Sequence, residues 1–147
     1  MPRIDESIVI SRSTEEVWGY LTDFFNTPRI SGSGMIGLRQ TSPGPTGVGS
    51  TLQGRRVVLG FEVKNTFAVT EWDPPHAFAG TTEGSPFRTQ VSRVTLESTA
   101  DGTRLHMVSD FELRPAMKVL WLVMGPVIRR RIRAGFARTK ALIEASP

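Results

Sequence analysis

Eight apolar residues near the C-terminus, Met117, Leu120, Trp121, Met124, Ile128, Ile132, Phe136 and Ile143, fall on one stripe at helical spacing. The arginines of the same segment lie mostly on the other side. A helix of about 30 residues is roughly 45 Å long, and such a stripe needs an apolar surface of matching length to cover it. Pro126 lies within the segment; it removes a backbone donor and crowds the carbonyl four residues earlier, so a kink or a break is expected there. The covering surface has to come from the preceding chain. From Met35 to Leu113 the punctuation is that of an antiparallel sheet. Turn clusters at Ser42-Pro43-Gly44-Pro45-Thr46-Gly47, Asp73-Pro74-Pro75, Glu83-Gly84-Ser85-Pro86 and Asp101-Gly102 separate runs rich in Val, Thr and Phe. Asp101-Gly102 is the strongest hairpin signal, because a two-residue primed turn needs positive φ at both positions. Its arms, Arg88 to Ser98 and Arg104 to Leu113, read as long strands.

Ahead of the sheet, Ile8 and Ile10 alternate with Ser7 and Ser11 in a short strand. Ser13-Thr14-Glu15-Glu16 then reads as a capping box, in which the Ser13 hydroxyl accepts from the Glu16 amide and the Glu16 carboxylate reaches back. Val17, Trp18, Leu21, Phe24 and Phe25 continue at helical spacing until Pro28 and the Ser31-Gly32-Ser33-Gly34 run, which predicts one amphipathic helix, a bend near Asp23 and a second short helix. With 147 residues, no linker and no internal repeat, the expectation is one domain over residues 1–147. The absence of cysteine excludes disulfides, a thiol nucleophile and Cys-based metal sites.

The net charge of +4 is unevenly placed. From Arg114 onward eight cations face one anion, a net +7, which leaves −3 for residues 1–113. The first residues have no apolar core behind a positive start, so no secretory signal is read, and the apolar run Val119–Ile128 is far short of the ~20 residues a spanning helix needs. A cytoplasmic protein is expected.

The order of elements is accompanied by familiar sequence landmarks. Ile8-Val9-Ile10, Ser13-Thr14-Glu15-Glu16-Val17-Trp18, Leu21-Thr22-Asp23-Phe24 and Pro28 resemble the opening of the polyketide cyclase/dehydrase and lipid-transport family. That family belongs to the superfamily of START domains and birch-pollen-allergen-like proteins. Gly47-Val48-Gly49-Ser50-Thr51, Val69-Thr70-Glu71-Trp72-Asp73-Pro74-Pro75, Gly102-Thr103-Arg104-Leu105 and Arg129-Arg130-Arg131-Ile132-Arg133 with Leu142-Ile143-Glu144 are similar to its later landmarks, in order along nearly the whole chain. The resemblance implies an α+β helix-grip fold: a curved antiparallel sheet of about seven strands wrapped around a long C-terminal helix, with two short helices after the first strand. It also implies a hydrophobic cavity between sheet and helix.

Strand alternation predicts independently which residues face that cavity. Phe61, Val63, Asn65, Phe67 and Val69 share one parity; Gln90, Ser92, Val94 and Leu96 share another with Arg88; Leu105, Met107, Ser109, Phe111 and Leu113 share a third. Phe78 is the inward aromatic of the strand after Pro75, and Trp121, Met124 and Ile128 close the other wall from the helix. The expected ligand-binding set is therefore Phe61, Val63, Asn65, Phe67, Phe78, Gln90, Ser92, Met107, Ser109, Phe111, Trp121, Met124 and Ile128. Its polar members cost a few kcal/mol each in a dry core unless paired. They either orient a ligand's polar end or satisfy one another and the backbone at strand ends.

No catalytic set emerges. His76 beside a Pro-Pro turn and His106 on the outward parity offer no metal-ligand pair, and no metal or cofactor is expected. Ser85 sits in a turn and lacks the nucleophile elbow. Arg55, Arg56 and Arg88 are candidates for polarising an oxyanion, against the commoner role of strand arginines as surface residues. The Arg129–Arg133 run lacks interleaved stacking groups, so a solvated helix face is expected rather than nucleic-acid binding. The adjoining Val119–Met124 run is apolar on all sides and leaves three placements open: core, homodimer face, or transient contact with an anionic membrane, the oligomeric state being monomer or homodimer. The leading expectation is a carrier or binding protein for a hydrophobic or amphipathic small molecule (a lipid, polyketide or isoprenoid-like compound). A polyketide cyclase/dehydratase using the same cavity is the alternative, and an interaction module acting through the basic helix is the third.

Overall fold

The computed structural model describes residues 3–22, 36–58, 61–84, 87–113 and 115–145. Strand β1 (Arg3–Ile10) leads through Arg12 into helix α1 (Thr14–Leu21); then follow β2 (Ile36–Gln40), β3 (Thr51–Val58), β4 (Phe61–Asp73), β5 (Ala77–Gly84), β6 (Phe87–Thr99), β7 (Gly102–Glu112) and helix α2 (Pro115–Glu144). The strands form one antiparallel sheet in the order β1-β7-β6-β5-β4-β3-β2. Successive strands β2 to β7 are neighbours, as short turns require, and β1 closes the far edge beside β7. The expected second short helix falls in residues 23–35, outside the described residues.

Ser13 caps α1 as expected, the Glu16 amide donating to Ser13 Oγ at 3.2 Å, and the Glu16 carboxylate accepts from the Ser13 hydroxyl at 3.1 Å. The β6–β7 hairpin sits one residue earlier than its sequence signal. Thr99 pairs with Gly102, so Ala100 and Asp101 make the turn and Gly102 opens β7. Gly102 is needed there for two reasons. Its φ is +136°, and a Cβ would lie 2.1 Å from the Ile10 carbonyl oxygen, where the end of β1 passes. Helix α2 runs unbroken through Pro126, so of the expected kink or break the break does not occur.

Two apolar clusters fix α2 against the sheet. Ile4, Phe111, Leu113 and Ile132 form one, with Met107, Trp121, Met124, Ile128 and Phe136 packed on it. Ile10, Val17, Leu96, Leu105 and Ile143 form the other, joined by Trp18, Tyr20, Leu21 and Val94. Together they draw their strand residues from β1, β6 and β7, and α2 packs chiefly along β1. The inner face of β2 to β5 extends beyond them.

Candidate functional site

The inner face carries the parities that alternation predicts. On β7, Leu105, Ser109 and Phe111 are buried; on β6, Leu96 is buried while Ser92 and Val94 are half-buried; on β4, Asn65 and Val69 are buried. The intervening side chains, Val91, Arg93, Glu97 and Arg104, are exposed on the outer face. Side chains of Phe61, Val63, Arg56 and Arg88 lie outside the described residues. Arg55 does not face inward; it sits on the outer face, where Glu62 pairs with it at 3.2 Å. It is therefore not an oxyanion partner inside the fold.

The described site residues separate into three groups. Met107, Phe111, Trp121, Met124 and Ile128 belong to the first packed cluster, with Phe111 buried, the other four half-buried, and the Phe111 and Trp121 rings 5.0 Å apart. Gln90, Ser92 and Ser109 form a hydrogen-bonded row across β6 and β7: Gln90 Nε2 donates to Ser92 Oγ at 3.2 Å, and the two serine hydroxyls are 2.9 Å apart. Ser109 is fully buried (0% exposed), so this pairing offsets the desolvation of its hydroxyl. Asn65, 3% exposed, is also hydrogen-bonded or otherwise engaged. Phe67 and Phe78 make up the third group. Both point inward yet remain only half-buried.

Phe67 owes its place to Gly80 on the neighbouring strand. A Cβ on Gly80 would come within 2.2 Å of the Phe67 ring and 2.6 Å of the Ala68 carbonyl oxygen, so the ring lies on bare backbone. Phe78 joins an aromatic group that alternation misses. Its ring centroid is 5.6 Å from Trp18 of α1 and 6.1 Å from Trp72 of β4, and the two indoles are 5.0 Å apart. Strict alternation from Val69 places Trp72 on the outer face. The register shift between Val69 and Glu71 adds a residue and turns Trp72 inward opposite Phe78. The same shift sends Glu71 outward, where Arg93 holds it through a two-pronged pair at 2.8 and 3.1 Å and keeps its carboxyl below the usual range.

Glu6 is another inner-face residue without a distinct sequence signal. It shares the parity of Ile4 and Ile8, is mostly buried, and receives Arg133 Nε of α2 at 2.9 Å. The histidines lie elsewhere. His76 is exposed in the β4–β5 turn, and His106 on the outer face meets Asp5 at 2.6 Å. An open depression of about 350 Å³ on that outer face is lined by Val91, Arg93, Thr95, His106, Val108 and Asp110, on the opposite side of the sheet from Ser109.

The inner face thus carries half-buried aromatic rings, a polar row that is buried at Ser109, and a helix fastened along one side. The family described as polyketide cyclase/dehydrase and lipid transport matches residues 1–144. The chain belongs to that family. No curated protein matches it in sequence. Among solved structures it is similar to the Zhui aromatase/cyclase of a Streptomyces species, with 14% identity, TM-score 0.80, and 97% of this chain and 93% of that chain covered. It is also similar to a Thermus thermophilus protein (17% identity, TM-score 0.78, 98% of each chain covered). A third likeness is to a START superfamily protein of Mycobacterium smegmatis (17% identity, TM-score 0.74, 95% of this chain and 98% of that chain). At these identities the likeness is one of fold, and this family member has the helix-grip architecture that its sequence landmarks imply.

Proposed function

We propose that the protein binds a hydrophobic or amphipathic small molecule, of lipid, polyketide or isoprenoid type, between the inner face of β3–β7 and α2, and acts as a carrier or binding protein. The supporting observation is the contrast on that face: Phe67, Phe78 and Trp72 keep accessible surface although they point inward, beside the hydrogen-bonded Gln90–Ser92–Ser109 row. Apolar surface left half-covered inside a fold is surface a ligand can bury at roughly 25 cal/mol per Å². The polar row and Asn65 would fix one end of the ligand.

A cyclase or dehydratase using the same space is the second reading, supported by the family and by the fold shared with an aromatase/cyclase. The carrier reading is preferred because, among the described residues, the histidines and the inner-face carboxylate Glu6 are turned away or engaged. Both histidines lie off the inner face, and Glu6 is held by Arg133. Native mass spectrometry of the purified protein, followed by organic extraction, tests the proposal directly. Recovery of a stoichiometric apolar compound is expected; a protein that carries none and does not bind the fluorescent probe anilinonaphthalene sulfonate would sink it. Replacing both Asn65 by Leu and Ser109 by Val should weaken binding of the recovered compound about tenfold, the loss of one to two hydrogen bonds, while the circular dichroism stays unchanged.

A further inference from the structure

We propose that the N-terminal half of α2, residues 115–127, lies on the surface of anionic lipid bilayers, with the arginines that follow seated among the headgroup phosphates. Three turns of this helix face solvent with aliphatic side chains. Val119, Leu122 and Val123 are 72%, 78% and 70% exposed, and Leu120 and Val127 are nearly half exposed. Val119, Val123 and Val127 follow at i, i+4 and i+8, on the side of the helix opposite Trp121, Met124 and Ile128, which pack on the sheet. The inner stripe therefore explains the fold, and the outer apolar stripe is not used by it. Contiguous exposed apolar patches of this kind on a folded domain mark contact surfaces.

Charge selects the partner. The outer stripe continues into Arg130, and Arg130 and Arg131 are exposed without an ion pair among the described residues. No carboxylate occurs between Arg114 and Ile143. An apolar half-helix followed by uncompensated arginines matches the layering of an anionic bilayer surface, acyl chains below and phosphates above. A second copy fits poorly. Two-fold apposition would bring two +7 segments together with no carboxylate between them, and five side chains on one helix are few against the roughly 800 Å² per partner of a stable interface. Nucleic acid would satisfy the arginines and leave the aliphatic stripe in water. No helix among the described residues is long and apolar enough to cross a membrane, so contact is along the surface.

The experiment is co-sedimentation of the full chain with vesicles of phosphatidylcholine alone or mixed with phosphatidylglycerol. Binding to the mixed vesicles is expected to exceed that to phosphatidylcholine by roughly tenfold and to fall as salt rises. The double variant Leu122→Glu/Val123→Glu, altered only at exposed positions, should keep its denaturation midpoint and lose vesicle binding. Arg130→Ala/Arg131→Ala should keep the apolar stripe and bind more weakly by about fivefold per arginine. The proposal is overturned if the parent does not pellet with phosphatidylglycerol vesicles, or if the glutamate variant pellets as well as the parent. It is likewise overturned by a dimer in sedimentation equilibrium that the glutamates dissociate, or by duplex DNA binding tighter than vesicle binding and indifferent to them.

Discussion

Gly80 and Gly102 are positions where a single methyl group decides whether the sheet can close. At Gly80 the methyl would strike the Phe67 ring, which can move, and the Ala68 carbonyl, which cannot without breaking the β4–β5 ladder. At Gly102 it would strike the Ile10 carbonyl in a backbone conformation that other residues rarely adopt. Gly80→Ala is therefore expected to lower the free energy of unfolding by about 1–3 kcal/mol, the usual range for overpacking. Gly102→Ala is expected to cost more, since backbone strain adds to the clash. Urea denaturation of both variants checks the order; a Gly102→Ala protein as stable as the parent would show that β1 does not need this close approach. The sequence signalled these two glycines unequally. Gly102 stood in a turn signal displaced by one residue, whereas Gly80 gave no sign, because its role depends on a ring of the neighbouring strand, two residues along the register. Alternation located Asn65, Ser92 and Ser109 on the inner face because β4, β6 and β7 are regular there. It stopped at Val69 and did not reach Trp72, whose inward turn depends on a one-residue bulge that inverts every side chain that follows it.

Helix α2 is held at its C-terminal end by a clasp that no stripe of apolar residues foretells. Lys140 Nζ donates to both Glu144 carboxylate oxygens at 2.8 Å and to the Val9 carbonyl at 2.9 Å, and Arg12 donates to the Glu144 carbonyl. The Lys140 hydrogen bond, aided by the Ser11 amide and the Arg12 charge, holds the Glu144 carboxyl below its usual range. The element thus joins the end of α2 to the β1–α1 corner. Because the folded-state pKa is lowered, the stabilisation is complete above the ordinary carboxylate range and is lost as pH falls through the lowered value. Glu144→Gln should accordingly be less stable than the parent at neutral pH and should lose less on acidification, so that the two denaturation midpoints converge at acid pH. Parallel midpoint curves would show that Glu144 does not carry the effect. The periodic stripe was enough to place this helix and its buried side, since period and burial are the same physical fact. Pro126 did not break it. The carbonyl it disturbs belongs to Leu122, on the exposed side, where water can satisfy it.

At the scale of the molecule, the asymmetry of charge and the asymmetry of packing follow different lines. The −3 body and the +7 C-terminal segment meet along β1, through Arg133–Glu6 and the Arg129 bond to the Arg3 carbonyl. The same edge carries the apolar clusters, so β1, β6, β7 and α2 are fastened by both kinds of interaction. Strands β2, β3 and β4 have a different footing. Leu52 and Val69 are buried there, but neither cluster among the described residues takes a member from these strands. Fewer shared apolar contacts mean that such a region opens at lower free energy than the rest. Hydrogen exchange on the ligand-free protein should therefore show faster exchange in β2–β4 than in β1, β6 and β7. If a ligand rests on Phe67 and Phe78 as proposed, loading the protein should slow exchange chiefly in β3–β5, because binding only to the closed state adds RT ln(1 + [L]/Kd) to the opening free energy, about 2.7 kcal/mol at one hundred times Kd. Equal protection of all seven strands without ligand would mean that the clusters over β1 fasten the whole sheet. Ligand protection confined to β1 and α2 would place the occupied surface along the packed edge instead of on the half-covered aromatic face.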